Sequence, residues 1–389
     1  MKRLPTIFAL GVILMGCEHD EPLGPSQPQF DEGRTGSPAL NVVTYNVYWG
    51  TRVENLLEVT DPSQIPLKVA ELWGEVQATN FAERAEAIAA EIATAEAHVV
   101  GLQEIALYRY QSPADFATPA TEVVLDFLDI LIDALDAQGL AYTAVSMSPN
   151  FDIELPIAVF DGEGNFIGID EIRLTDFDVI LVRNDVAWSN PANGNFAAAL
   201  PIELAGEVIY KPSGWAAVDI TFKGLDYHFV NTHLEPADIG PNGEVNPDLA
   251  FLQALQLAEL MGIVDQSPHP VIMVGDFNSD DDGSTTATYD DIRTAGFVDA
   301  WLIGLPRGSG YTANQAPDLL NAPSQLFHRI DFVFYRDEFT RTTGDFQGAV
   351  KAALLGEKET DRTPSGLWPS DHAGLAVALT VAPGLGHDE

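Results

Sequence analysis

The sequence predicts a sheet-rich α/β fold, and three observations predict it. Short β-branched and aromatic runs recur along most of the chain, separated by turn-forming residues. Three longer stretches place apolar residues at helical spacing between such runs. Polar residues stand repeatedly at the ends of the apolar runs, as a site at the rim of a sheet requires.

Taken in order, 41–47 is a strand by composition. The stretch 78–97 spaces Phe81, Ala85, Ile88, Ala89 and Ile92 helically among Glu and Arg, and 98–102 follows as a buried strand. A second amphipathic helix is predicted over 122–137, ending at Gly139. Asp161-Gly162 and Gly164-Asn165 carry hairpin chemistry before a strand at 166–169. Further strands are predicted at 177–182, 207–210, 215–222 and 227–232, a helix at 248–263, then strands at 270–275, 330–335 and 374–380. The proline-broken stretch 50–77 reads as an inserted loop near the entrance of a site. No internal repeat is present, and no apolar run after Met15 reads as long enough to cross a bilayer.

The first residues read as a targeting segment: Lys2 and Arg3, then an almost wholly apolar run from Leu4 to Met15. Leu14-Met15-Gly16-Cys17 resembles the lipobox of bacterial lipoproteins, and Cys17 is the sole cysteine. The resemblance implies a signal peptide over 1–16, lipidation of Cys17, and an envelope location, lipid-anchored in a bilayer outside the cytoplasm. Residues 18–38, rich in Pro, Gly, Ser and acid, read as a flexible tether, so that 17–38 is the anchored linker and 39–383 the folded domain. With one cysteine there is no intrachain disulfide, and stability rests on core burial.

Nineteen basic residues stand against 58 acidic ones, a net charge of −39. Cleavage of the signal removes Lys2 and Arg3 and makes the balance two units more negative. A field of that sign opposes polyanions, and no basic run supplies the counterion release on which nucleic-acid binding draws, so nucleic acid is a disfavoured substrate. Acid excess with few lysines reads equally as adaptation to salt, where the charge is screened.

The polar residues at strand ends form a set: Asn46, Glu104, His233, Asp276 with Asn278, Asp331, and Asp371 with His372. Phosphoester cleavage needs a hard cation against the phosphoryl oxygens, an activated water, and an acid for the leaving oxygen. A magnesium-like ion takes one or two carboxylates plus waters and substrate oxygens, so Glu104 with Asn46 and Asp371 is a sufficient set. Manganese and calcium are the alternatives, and zinc fits poorly because no close His or Cys spacing offers soft ligands. Singly, Asn46 or Asp276 reads equally as a turn residue, and His233 as a satisfied histidine.

Together, Thr-Tyr-Asn46, Leu-Gln-Glu104, Asn-Thr-His233, Gly-Asp276-Phe-Asn278, Arg-Ile-Asp331 and Ser-Asp371-His372 occur in the order of the endonuclease/exonuclease/phosphatase superfamily, which the chain resembles over nearly its whole length. The resemblance implies a four-layer sandwich of two packed mixed β-sheets flanked by helices, in one domain. It implies Glu104 as main metal ligand with Asn46 and Asp371 beside it, and Asp276 and Asn278 positioning or deprotonating the attacking water. It further implies that His372, oriented by Asp331, holds the phosphate, and that His233 stabilises the transition state or protonates the leaving group. Arg183 sits where several family members place a phosphate-contacting arginine, and an arginine leaving a strand is equally often a surface residue. His228, His269 and His328 match no motif and read as structural.

The expected activity is therefore divalent-metal-dependent hydrolysis of a phosphodiester or phosphomonoester by a monomer. The alternatives are a secreted or surface nuclease and a non-catalytic envelope binding protein on the same scaffold. Asn-Thr-His233-Leu-Glu looks more like the phosphatase and sphingomyelinase side of the superfamily than the pancreatic deoxyribonuclease side. The segment 312–321 resembles one common in bacterial members of unassigned substrate.

Overall fold

A computed structural model describes residues 39–381, apart from 205, 238–243 and 307. The signal peptide, Cys17 and the tether read in 1–38 lie outside the described residues. Strand β1 (Leu40–Asn46) leads through 3-10 turns at Val53–Glu58 and Pro62–Gln64 into helices α1 (Ile65–Ala78) and α2 (Phe81–Thr94). Strands β2 (Val99–Gln111) and β3 (Glu122–Asp126) precede α3 (Phe127–Ala137) and the long hairpin β4 (Tyr142–Phe160) with β5 (Phe166–Arg183). There follow β6 (Ala187–Asn195), β7 (Leu200–Leu204), β8 (Glu207–Lys211), β9 (Gly214–Phe222), β10 (Leu225–His233) and α4 (Pro247–Val264). The chain continues through β11 (Val271–Asp276), α5 (Thr288–Thr294), β12 (Val298–Asp299), α6 (Ala300–Gly304) and β13 (Asp331–Arg336). It ends with α7 (Glu338–Thr343), β14 (Gly348–Leu355) and β15 (Gly374–Val381).

The strands form two large mixed sheets and one separate hairpin. The first sheet runs β14-β15-β1-β2-β5-β4, with β3 added on β2; the second runs β12-β13-β11-β10-β9-β6; β7 pairs with β8 alone. Each large sheet contains one parallel pair, β1 with β2 and β10 with β11. Alternation along the strands sends successive side chains to opposite layers. Val42 and Val99 of the first sheet meet Phe229 and Val274 of the second in the middle layer. Val43 and Val100 face outward against α1, α2 and α3, and Val230 and Met273 face α4 and α5. The result is the four-layer sandwich of two packed mixed sheets flanked by helices.

Three expectations change. The stretch 50–77 is ordered: Pro66 lies in the first turn of α1, where its missing N–H costs nothing, and Val69, Leu72 and Val76 bury one face of that helix. Residues 122–126 are a strand, because β2 runs past the buried core and offers an edge that β3 takes antiparallel; the helix starts only at Phe127, capped by Asp126 accepting from the N–H groups of Leu128 and Asp129. Helix α4, at 18 residues, is long and apolar enough by length and composition to cross a membrane, where the sequence reading found no such run. Its buried Gln253 and Gln256 bind backbone of the domain, and Leu257, Leu260 and Val264 join the core, as in a core helix. The hairpin at 161–165 forms as read, with Asp161 Oδ1 accepting from Glu163 N at 2.9 Å and Asn165 N at 2.8 Å.

Polar groups pin the two sheets to each other in the middle layer. Asn231 Nδ2 on β10 donates to Leu102 O at 2.8 Å and Val179 O at 3.2 Å across the interface, and its Oδ1 accepts from Gln103 Nε2 at 2.6 Å. Gly101 admits this contact, since a Cβ there would stand 2.5 Å from Val274 Cγ2 and 2.8 Å from Asn231 Oδ1. Gly101→Val is expected to cost about 1–3 kcal/mol of stability by overpacking. Denaturant unfolding of the two proteins checks it, and an unchanged midpoint would mean that the sheets are not held this closely.

Candidate active site

Parallel pairing carries β1, β2, β10 and β11 to one rim. Asn46 closes β1 and lies opposite Gln103, while His233 lies opposite Asp276 across the β10–β11 pair. The antiparallel neighbour β13 starts at the same edge, with Asp331 opposite Asp276, and β15 starts just after His372. Strand direction alone thus gathers Asn46, Glu104, His233, Asp276, Asn278, Asp331, Asp371 and His372.

Local distortions then aim the side chains. The β2–β5 register slips between Leu102 and Ile105, and Glu104 adopts φ +60°, a left-handed conformation rare outside glycine. The bulge turns Glu104 into the rim, where Oε1 accepts from Asn46 Nδ2 at 3.0 Å and Oε2 from Trp49 N at 3.0 Å. Asn278, also left-handed at φ +47°, returns its N–H to Asp276 Oδ1 at 2.9 Å. Gly275 is required before it: with φ +145°, a Cβ would fall 1.9 Å from Thr232 O. Gln253 of α4 holds this turn from below, its amide donating to Glu235 O, Phe277 O and Asn278 O at 2.8, 3.2 and 3.0 Å.

Asp276 Oδ2 is the meeting point. Asn46 Nδ2 lies 3.2 Å from it, His233 Nε2 3.5 Å and His372 Nε2 3.9 Å. Asp331 Oδ2 binds the other ring nitrogen of His372, Nδ1, at 2.9 Å. Arg329, buried between Asp299 at 2.7 Å and Asp281 at 2.8 Å, fixes the entry to β13, and Thr312 Oγ1 accepts from the N–H groups of Ile330 and Asp331. The segment 312–321 braces the last pair, since Asn314 and Gln315 donate to Asp371 O at 3.1 and 3.0 Å.

Crowded carboxylates in a buried rim repel one another. Burial pushes the Glu104 carboxyl up to about 8, with the charge of Asp371 adding to it. Burial followed by the charge of Asp331 pushes Asp276 up to about 7, and burial also raises Asp371. The two imidazoles part company. Burial, then Lys211 and His372, holds His233 well below the ordinary histidine value, so it is neutral. Burial opposes the charge on His372, yet the charge and hydrogen bond of Asp331, joined by the charges of Asp371 and Asp276, together lift that imidazole well above its usual value.

The donor set fits a hard divalent cation. Asp276, Asp331 and His372 offer donor atoms that all lie within 4.8 Å of one another, and Asp331 Oδ1 is buried with no hydrogen-bond partner. His372 has Nδ1 engaged by Asp331 Oδ2, which leaves its Nε2 as the ring's donor atom toward Asp276. Asn46 turns its amide nitrogen toward Glu104 and Asp276, while its Oδ1 accepts from Tyr48 N at 3.0 Å. In this arrangement it bridges two acids rather than presenting an oxygen.

Arg183 is a correction. Strand β5 runs antiparallel to β2, so Arg183 lies at the far end of the sheet from Glu104, paired with Asp185 at 2.7 Å and donating to Glu96 O and Ala97 O. His228 pairs with Asp219 at 2.7 Å, and His328 with Asp280 behind Arg329.

Several contributors had no motif to announce them. Arg84 of α2 is fully buried and donates only to backbone: Thr79 O at 2.8 Å, Val47 O at 2.6 Å, Pro369 O at 3.0 Å and Tyr48 O at 3.1 Å. It ties the loop after Asn46 to the loop before Asp371, and Ser370 Oγ closes the same gap on Asn46 O at 2.7 Å. Lys211, held by Glu235 at 2.6 Å, points into a cavity of about 190 Å³ beside the rim, and Glu235 also accepts from Ser213 at 2.6 Å. A lone lysine at a strand end carries no pattern. The spacing of Arg84 among the apolar positions of α2 was the available signal for its burial.

The sequence pattern of the Endonuclease/Exonuclease/phosphatase family matches residues 43–372. Among solved structures, D. rerio TDP2 complexed with single strand DNA product is 16% identical, with a TM-score of 0.50 over 88% of this chain and 99% of that one. Family proteins from Bacteroides thetaiotaomicron and Leptotrichia buccalis are 17% and 16% identical, with TM-scores of 0.48 and 0.47 over 90% and 88% of this chain and 98% and 100% of theirs. At these identities the likeness is one of fold. No curated protein matches the chain.

The raised carboxyls set a pH dependence. The folded chain keeps protons on Glu104 and Asp276 that the unfolded chain releases near pH 4 to 5, so these groups stabilise the fold at low pH. That contribution is lost as pH rises toward 8. In chelator, Tm is expected to fall between pH 5 and 8, and Glu104→Gln to flatten the slope, by on the order of a few kcal/mol at pH 8. A divalent ion raises Tm most at the upper end. Scanning calorimetry checks it; a slope that Glu104→Gln leaves unchanged would mean that Glu104 is not held protonated.

Proposed function

The chain belongs to the Endonuclease/Exonuclease/phosphatase family, a hydrolase of the phosphoesterase or nuclease kind, and from that premise we propose that it is a divalent-metal-dependent phosphoesterase acting by in-line attack of water. The observation that carries the reading is the convergence of Asn46, His233 and His372 on one oxygen of Asp276, beside Glu104, on the rim of both sheets.

Each group has work suited to its state. Asp276, oriented by Asn46 and the Asn278 N–H and ionised as pH passes about 7, takes a proton from the attacking water as the water oxygen bonds to phosphorus. His372, its charged form favoured by Asp331 behind it, balances the phosphoryl charge and gives a proton as the bond to the leaving oxygen breaks. His233 is neutral, and its Nε2 accepts from Asn278 Nδ2 at 3.1 Å, so it stabilises and orients rather than supplying the proton. A divalent cation, magnesium first and manganese or calcium next, would be held by carboxylates of this rim: by Glu104 and Asp371 as the family resemblance implies, or by Asp276 and Asp331, whose donor atoms lie within 4.8 Å of each other. Bound there, such an ion neutralises phosphoryl oxygens.

The acid excess speaks against long polyanions as substrate. Anchoring through Cys17 to the bacterial envelope, with the domain outside the cytoplasm, belongs to the same proposal. Cys17→Ala is expected to move the protein from the membrane fraction to the soluble extract; recovery of the variant with membranes would remove the anchor.

Asp276→Asn is expected to lower kcat on the order of 10² to 10⁴-fold with little change in fold, and His372→Ala to do likewise. Arg183→Ala, far from the rim, leaves kcat/KM unchanged. Steady-state assays on phosphoesters with each ion and with chelator check this, and full activity in Asp276→Asn would sink the assignment.

A further inference from the structure

The cavity beside the rim has walls unlike its floor. Its floor is Glu104, His233, Asp276, Asn278 and His372. Its walls include Val53 and Leu56 from the first 3-10 turn, Phe151 from β4, and Leu200, Ile202 and Ile209 from the β7–β8 hairpin. The hairpin alternates with period two, sending those residues inward and Pro201, Glu203, Val208 and Tyr210 outward to solvent. It hydrogen-bonds to neither large sheet. A lone two-stranded hairpin is marginal in water, so packing against the rest of the domain sets its place.

Apolar side chains facing an open cavity leave hydrophobic surface in water, which a ligand of the same character would cover. Among the described residues lining it, Lys211 is the sole lysine or arginine, and Glu235 engages it at 2.6 Å. Nothing there is arranged to meet a second phosphate or the backbone of a polyanion. We propose that this wall is a subsite for an apolar, uncharged alkyl or aryl group esterified to the scissile phosphate, so that the substrates are phosphoesters of apolar alcohols. The inference rests on the phosphoesterase reading for its chemistry and on the cavity for its specificity.

The test is a series of alkylphosphocholines, from methyl to octyl, hydrolysed by the purified protein with magnesium and followed by phosphorus NMR. Calorimetry with unreactive alkylphosphonates of the same lengths runs beside it. The expected result is a rise in kcat/KM of up to about fourfold per methylene until the cavity is filled. Ile202→Asn should flatten that rise, and Tyr210→Asn, on the outward face of the hairpin, should not. A diacyl glycerophospholipid in detergent micelles separates the sources: turnover matching the longest soluble ester assigns a lipid, and none assigns a soluble ester. Hydrolysis that is flat or falling with chain length overturns the subsite and leaves the phosphoesterase reading standing. No hydrolysis with any ion, but phosphonate binding that tightens with length and is lost in Ile202→Asn, keeps the subsite and overturns that reading. Neither hydrolysis nor length-dependent binding overturns both.

Discussion

The side-chain amide of Asn231 crosses from one sheet to the other, and the geometry of the rim depends on that crossing. Its two N–H groups reach carbonyls of β2 and β5, and its oxygen is taken by Gln103. Buried amides left unmatched are costly, so the sheets have one favourable sliding position. Leu102 lies two residues before Glu104, and Asn231 two before His233. Fixing the one pair therefore fixes the other, and the rim groups of two separate sheets come to face each other without any contact of their own having to hold them. Gly101 is the complement, since only a residue without a Cβ lets the amide in.

A second polar device operates on the loops. Arg84 buries a guanidinium without a carboxylate beside it, using four main-chain carbonyls and the faces of Phe81 and Phe127. A carboxylate partner would have satisfied the charge and joined nothing. Carbonyls from 47, 48 and 369 instead bring together two segments more than 300 residues apart in sequence, and Asn46 and Asp371 lie next to them. The positive charge also sits behind an acidic rim: Arg52 and Arg84 both favour the ionised form of Asp371.

Much of the sandwich and of the site was legible because both follow from short-range regularities. Alternation marks strands, helical spacing marks α2 and α4, and short polar residues after apolar runs mark the rim. What was not legible depends on direction or on distant partners. Arg183 ends a strand just as Asn46 does, and only the antiparallel pairing of β5 reveals that its end is the wrong one. Residues 122–126 carry the β-branched pair Val123 and Val124, yet their strand exists because β2 overruns the core, which no local window contains. The proline-rich look of 50–77 concealed α1, whose Pro66 occupies the first turn, where proline is tolerated. Lys211 is a single residue on an isolated hairpin, placed by the tertiary fold alone.

The two histidines show how one fold assigns opposite roles to the same side chain. Both rings approach Asp276 Oδ2, at 3.5 and 3.9 Å. Burial lowers both, and what separates them is the charged neighbour: Asp331 on the far nitrogen of His372, and the Lys211 cation near His233. One ring is charged and the other neutral across a single carboxylate, so a proton donor and a proton acceptor coexist at one pH. The sequence resemblance allowed His233 either to stabilise the transition state or to protonate the leaving group. Burial lowers the His233 value most, and the charge of Lys211, which no motif marked, adds to it, which favours the first. Its partner Glu235 sits in the same Asn-Thr-His-Leu-Glu run as His233, so that one strand end supplies the histidine and the anchor for a cation that adds to the effect of burial on it.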